Sequence, residues 1–327
     1  MSFRTIPIIY MLLFLPLLSV KAQEQAAAVP FLTFPTDART TGMGATGSVL
    51  PGNPFALFRN ASSAVFSEEK ARIGYSYTPW NPDLVSKSSL NALGAWLRLG
   101  QKQVLLIGFR HFSHGEIPTT DENGNSTGNF TPKDLSVDLG YSYRVGKNLS
   151  LGLGLDYIRS NMGDFGEAKV ASAFALNFSA TYHAVLCAGK PGSFWSAGLS
   201  VNHIGSKIKY LASSYDLPAG INLGGAICYP FSEKHTLTGN LELGYQEMLS
   251  DTKSLGFGIG AEYNLFGHYF IRAGYHSSDK IKSSGNYATT GAGIEFNGAR
   301  IDFAYLIASA GSALKNTWQL GLSIGIN

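Results

Sequence analysis

The sequence predicts an all-β fold: a 14-stranded antiparallel transmembrane β-barrel with a short N-terminal hatch. Three observations point there. From residue 70 the chain repeats one unit, an alternating segment of roughly nine to twelve residues closed by a turn. The connections after successive strands alternate between short and long. Charged residues make up only 14% of the chain, while Gly numbers 38 and Phe plus Tyr are plentiful, a composition suited to limited contact with water.

The N-terminus reads as a leader. One positive charge in MSFRT precedes the apolar core IPIIYMLLFLPLLSV, and Val20-Lys21-Ala22 places small residues at the −3 and −1 positions, so residues 1–22 are expected to be a signal peptide cleaved after Ala22. The apolar stretch is about 15 residues and contains Pro7 and Pro16, short of the roughly 20 a spanning helix needs. Residues 23–69 follow as a hatch segment, with capping-type Thr, Asp and Asn and with apolar residues at helical spacing in NPFALFRNASSAVF. Its apolar content argues against a solvated tail and for a plug in the periplasmic mouth. Arg39 and Arg59 are expected to pair with carboxylates on the lumen wall, since a buried unpaired charge is costly.

The barrel occupies residues 70–327. Strands are expected near 70–79, 88–98, 102–112, 134–144, 149–159, 171–183, 194–204, 218–228, 236–246, 254–264, 268–276, 286–296, 299–307 and 316–326. LSVDLGYSY, LGFGIGAEY and WQLGLSIGI alternate cleanly; the third (VLLIGF) and twelfth strands do so weakly, which suggests a phase slip at a bulge. LGQKQ, VGKN, CAGKPGS, YPFSEK, NLFG and NG are the short connections. The others, SHGEIPTTDENGNSTGNFTP and IGSKIKYLASSYDL among them, are longer and polar. Sorting loops by parity is the plan of an outer-membrane barrel, with short turns and both chain ends in the periplasm. In LSLGLGLD, Leu149, Leu151, Leu153 and Leu155 then face lipid, while Ser150, Gly152, Gly154 and Asp156 face the lumen. Closure leaves no strand edge unpaired in hydrocarbon. Aromatic residues near strand ends, among them Tyr75, Trp80, Trp96, Tyr141, Tyr182, Trp195 and Trp318, are expected to form interface girdles. Inward positions are small or charged, the charges being Asp138, Asp156, Glu242, Glu262, Arg272, Glu295 and Asp302.

Several function classes fall away. The formal charge of +3 drops to +1 without Arg4 and Lys21 of the leader, too little and too scattered for nucleic acid. Cys187 and Cys228, the two cysteines, fall on next-nearest strands, whose Cα atoms lie near 10 Å apart, so unpaired thiols are expected, with a bridge left open. There is no GxSxG, HExxH, P-loop or CxxC pair, and GFGIG sits inside a strand with no helix after it. His111, His114 and Glu116 in HFSHGE lack a fourth metal ligand. DENGNST spaces oxygens like a calcium loop, yet its Gly stands fourth and no Glu follows at the twelfth place, so a polar turn is expected. Neither a catalytic group nor a cofactor or metal is expected.

Two stretches carry a family resemblance. PTDARTTGMGATG (35–47) and HGEIPTTDENGNSTGNFTPKDLSVDLGYSYRVGKNLSLGLGLDYIRS (114–160) resemble the PorV/PorQ family of outer-membrane proteins. Asp37, Arg39, Gly42, Met43 and Gly44 match its hatch element; Glu116, Asp121, Gly124, Gly128 and Pro132 match its long outer loop. Where the family tends to show Asn-Pro-Ala, this chain has Arg59-Asn60-Ala61. The resemblance implies a FadL-like barrel integral to the Gram-negative outer membrane and a non-enzymatic role in type IX secretion. The implied partners are outer-membrane lipid and lipopolysaccharide, a giant translocon barrel, the C-terminal signal domains of cargo and a surface attachment complex. The alternative is a FadL-like channel for uptake of hydrophobic small molecules. For a docking role, Phe112, His114, Glu116, Asp121, Phe130, Lys207, Tyr210 and Tyr215 are the partner-binding candidates, beside Lys209, Lys280 and Lys282.

Overall fold

The computed structural model describes residues 28–80, 87–121, 123–163, 170–210, 213–248, 252–278, 285–309, 312 and 314–327. The expected leader, together with Lys280 and Lys282, lies outside the described residues.

Among the described residues, eighteen strands follow a short N-terminal segment. They are β1 (Ala71–Pro79), β2 (Ser88–Arg98), β3 (Gln103–His114), β4 (Ile117–Thr120), β5 (Ser126–Phe130), β6 (Lys133–Arg144), β7 (Leu149–Asn161), β8 (Ala171–Val185) and β9 (Phe194–Gly205). Then come β10 (Ile208–Tyr210), β11 (Ser213–Tyr215), β12 (Gly220–Ser232), β13 (His235–Met248), β14 (Thr252–Leu265), β15 (Tyr269–Ser278), β16 (Tyr287–Phe296), β17 (Ala299–Ala308) and β18 (Trp318–Ile326). Fourteen of them close into one antiparallel barrel, sealed where β1 pairs with β18 from Ala71↔Ile326 to Tyr77↔Leu320. The other four form two hairpins, β4–β5 and β10–β11, which rise from two of the long connections. Sequence reading placed only loops there, because SSY and STGNF carry no apolar alternation.

Strand pleat sorts the two faces. Along β7 exposure alternates at every residue: Leu149, Leu151, Leu153 and Leu155 point out, and Ser150, Gly152, Gly154 and Asp156 point in. Outward faces form a continuous apolar band, as hydrocarbon requires. The expected bulges in the third and twelfth strands are absent: β3 alternates cleanly and its register with β2 and β6 does not slip. VLLIGF hides its period because inward Val104 and Leu106 are apolar too, packed on the plug. Register shifts in the wall fall instead between Leu176 and Phe178, where β8 slips against β9, and between Pro230 and Ser232 where β12 meets β13. His203, opposite the slip, holds a left-handed φ of 59°, and its N–H is taken by the side chain of Asn177 at 2.8 Å.

The segment before β1 lies inside the barrel. It comprises a 3-10 turn (Pro30–Thr33), one helical turn α1 (Ala38–Thr41) and two further 3-10 turns (Ala56–Phe58 and Ala61–Phe66). NPFALFRNASSAVF thus winds as 3-10 turns and not as an α-helix; Ser62 spends its N–H on Ser179 and its carbonyl on Ser150, so wall bonds replace helical ones. The plug also runs further than a periplasmic mouth. Phe31 and Leu32 pack among Leu90, Phe112, Ile158, Ala171, Ile208 and Leu217 at the long-loop end, whereas Val65 and Phe66 pack with Trp96 and Val104 at the short-turn end. The first described residues therefore sit opposite the end at which β1 begins.

Candidate functional site: the anchored plug and the long-loop mouth

The bare inner face of the strands is the seat of the plug. A Cβ added at Gly74 would lie 2.6 Å from Pro54, at Gly152 2.6 Å from the Ser62 nitrogen, at Gly198 2.7 Å from Val49, and at Gly258 2.6 Å from Thr46. These glycines stand on β1, β7, β9 and β14, so the close approach runs around much of the circumference.

The element Asp37-Ala38-Arg39…Gly42-Met43-Gly44 anchors this segment to β13–β16. Asp37 caps α1, accepting from the Thr40 N–H at 2.8 Å and from its hydroxyl at 2.6 Å. Arg39 makes a bidentate contact with Glu262 on β14, at 3.1 and 2.8 Å. Thr289 on β16 fastens the loop twice, donating to the Gly42 carbonyl at 3.0 Å and accepting from the Gly44 N–H at 2.8 Å. Met43 is fully buried, its sulfur 3.2 Å from the Asn240 amide. Gly44 has φ +71°, and a side chain there would meet the Tyr275 carbonyl at 2.7 Å.

Glu262 opens a larger ion network. It also meets Arg272 at 2.6 Å and Arg300 at 3.2 Å. Asp302 pairs with both arginines, at 2.8 and 2.9 Å, and Glu295 links Arg300 to Arg72, which pairs back to Glu69. Arg59 pairs with Glu242, and Asn60 donates to Thr181 at 2.9 Å. Arg110 on β3 bridges plug to wall on the far side, donating to the Leu32 carbonyl at 3.0 Å and pairing with Asp138 at 2.8 Å. Arg72, Arg110 and Arg300 were not singled out from sequence, although each is in phase with small or acidic inward neighbours such as Gly74, Gly108 and Asp302.

The loop candidates divide into three groups. Phe112 is a correction: it belongs to β3, is 5% exposed, and packs against Phe34 in the mouth cluster, so it holds the plug and offers no docking surface. Trp80 stacks on Phe34 at 3.9 Å, and Trp96 points inward, 2% exposed; both leave the expected lipid girdle. Tyr210 and Tyr215 stand on the β10–β11 hairpin, half-buried, with rings 5.9 Å apart and the Tyr210 hydroxyl on Ser160. Lys207 pairs with Asp216 at its base. His114 contacts Asp134 at 2.7 Å and Glu116 contacts Lys87 at 2.6 Å. Asp121 closes the β4–β5 turn by accepting from the Asn125 side-chain amide at 3.0 Å and from the Asn125 and Asn123 N–H groups at 2.8 and 2.9 Å, bonds that hold its carboxyl below the usual range. Phe130 ends β5, half-buried. Cys187 and Cys228 are both free.

Between plug and wall a cavity of about 120 Å³ remains, lined in part by Leu32, Phe34, Phe58, Arg59, Asn202, His203, Asn222, Glu242 and His276. Its wall mixes polar and apolar groups in about equal share. Among the described residues no cluster of His, Cys, Asp or Glu has the makings of a metal site.

Fold and site together define a plugged fourteen-stranded barrel of the outer-membrane type. The profile described as "Type IX secretion system protein PorV" matches residues 20–253, most of the plug and wall, and the chain belongs to the PorV family. No curated protein matches the chain by sequence. Among solved structures, the toluene transporter TodX of Pseudomonas putida superposes with a TM-score of 0.56 at 14% identity, covering 88% of this chain and 95% of its own. The toluene transporter TbuX of Ralstonia pickettii gives 0.56 at 13% identity, covering 89% and 98%. A FadL homologue of Pseudomonas aeruginosa gives 0.51 at 12% identity, with 89% and 98% covered. At such identities the likeness is one of fold.

Proposed function

We propose that the protein is a non-enzymatic component of the type IX secretion machinery in the Gram-negative outer membrane. In this reading it binds the C-terminal signal domain of exported cargo at its long-loop end, stands beside the giant translocon barrel, and passes cargo to a surface attachment complex. The observation that carries the reading, beside family membership, is the fastened plug. Ion pairs fix it on one side, apolar packing on the other, and glycines of the wall leave it little slack. A barrel so filled serves as a scaffold, and its chemistry is then displayed by the mouth: the β4–β5 and β10–β11 hairpins with Phe130, Tyr210, Tyr215 and the charged pair Lys207–Asp216.

The channel reading is less well supported by the same features. Pockets for apolar ligands are predominantly apolar, whereas the cavity here exposes Arg59, Glu242, His203 and His276.

The test is binding of purified signal domain to the purified full chain in mild detergent, repeated with each hairpin shortened to a Gly-Ser turn. Binding that falls at least tenfold when a hairpin is shortened supports the proposal. Absence of binding by the unaltered protein, with hydrophobic small molecules recovered from its lumen and secretion intact in a deletion strain, refutes it.

A further inference from the structure

The short-turn end of the barrel carries a basic arc along β1, β2, β3, β6 and β7. Lys70 precedes β1, Arg98 ends β2, Lys102 precedes β3, Arg144 ends β6, and Lys147 lies in the turn to β7. β2, β3, β6 and β7 are consecutive in the wall and β1 adjoins β2, so the five cations form one arc. The Arg144 N–H donates to the Lys102 carbonyl at 2.8 Å, which ties the two turns together. Arg98 spends its guanidinium on the carbonyls of Glu69, Val65 and Ser67, and Arg144 on that of Lys147, so neither charge is neutralised by a carboxylate. Of the acids nearby, Glu69 is committed to Arg72 and Glu68 is exposed. Further round the wall, Lys190 lies in the β8–β9 turn and Lys234 stands next to Glu233 in the β12–β13 turn, whereas the turns NLFGH and FNGA carry no lysine or arginine.

Height above the bilayer identifies the partner. Both turns of the arc span four residues, 99–102 and 145–148, too few to project far beyond the strand ends. Directly beneath them the lipid-facing surface carries Tyr141 and Tyr143, with Leu99 54% and Val145 52% exposed between the cations. Tyr182 accepts from Asn148 of the turn itself at 3.1 Å, which places a girdle hydroxyl at turn level. Arg98 and Arg144 turn inward onto the plug, while Lys102 and Lys147 stand exposed immediately above an aromatic–aliphatic belt, at the level of lipid phosphates and with their stems over hydrocarbon.

We infer that the edge formed by the β2–β3 and β6–β7 turns is a binding site for anionic phospholipid of the leaflet at the short-turn end, with headgroup phosphate held by Lys102, Lys147 and their neighbours. This goes beyond the secretion role and depends only on the barrel spanning a bilayer.

The experiment is native mass spectrometry of the full chain in detergent with equimolar phosphatidylglycerol and phosphatidylcholine, on wild type, K102E/K147E and, as a long-loop control, K209E. Lys102, Lys147 and Lys209 are all exposed, and a shared heat-modifiable gel shift reports that each variant is folded. Wild type and K209E are expected to retain phosphatidylglycerol over phosphatidylcholine by about tenfold or more, and K102E/K147E to lose most of that preference, since each basic residue near an anionic surface contributes several-fold. Equal retention of both lipids by wild type overturns the inference. So does a preference that survives in folded K102E/K147E, or one that K209E abolishes equally.

Discussion

The two sides of the plug are held by different physics. Toward β2, β3 and β6 the contact is largely apolar, Leu57, Ala61, Val65 and Phe66 meeting Trp96, Val104 and Leu106, with the Arg110 bond to the Leu32 carbonyl as a polar point within it. Toward β14–β18 it is ionic, with Arg39 entering a group in which Glu262, Asp302, Glu295 and Glu69 face Arg72, Arg272 and Arg300. The apolar side is tolerant of shape and adds to stability in proportion to area. The ionic side is an all-or-none arrangement, because desolvated charges stabilise only when each has its partner. One face therefore supplies adhesion, and the other fixes the register of plug on wall.

That division can be broken in steps. The largest effect is expected from Gly274→Val, because a Cβ there lands on the backbone of Met43 and Gly44. The plug should be driven out, with residues 37–50 becoming protease-sensitive in limited digestion while strand content by circular dichroism persists. Next comes Glu262→Gln, which leaves three arginines short of a carboxylate and is expected to cost about 3–5 kcal/mol in urea unfolding from detergent. Leu57→Ala on the adhesive side should cost about 2–4 kcal/mol. The two differ in character: salt should soften the first variant's defect and leave the second's unchanged. Asp37→Ala, which removes the α1 cap, is expected to cost about 1 kcal/mol. The smallest effect is local. The depressed Asp121 carboxyl supports the β4–β5 turn while it is ionised. That support is complete above the ordinary aspartate pKa and disappears as pH falls through the lower folded value. Hydrogen exchange at the Asn123 and Asn125 amides should accelerate only in that acid range, with the barrel amides unaffected.

Much of this was legible beforehand. β7 needed nothing beyond its own alternation, because lipid on one face and a close-packed plug on the other demand opposite residue sizes. Arg39 and Arg59 announced wall partners by being charged in an apolar segment, and Glu262 and Glu242 supply them. β3 was harder, since Val104 and Leu106 serve the plug as apolar residues do a soluble core. For the same reason Trp96 and Phe112 read as surface aromatics: residue type does not say which of two apolar surroundings a strand faces. The β4–β5 and β10–β11 hairpins left little trace because Ser, Thr, Asn and Gly dominate them and main-chain bonds do the pairing. The helical reading of 53–66 failed because carbonyls and amides that a helix would satisfy internally are satisfied by Ser150 and Ser179 of the wall.

The traverse of residues 28–66 from one mouth to the other constrains how the molecule is assembled. A cord gripped on several sides cannot be threaded late through a finished tube without prising that grip open. The economical order is for the cord to be laid against a still-open sheet, and for the β1–β18 seam to zip last, wrapping the wall around its own beginning.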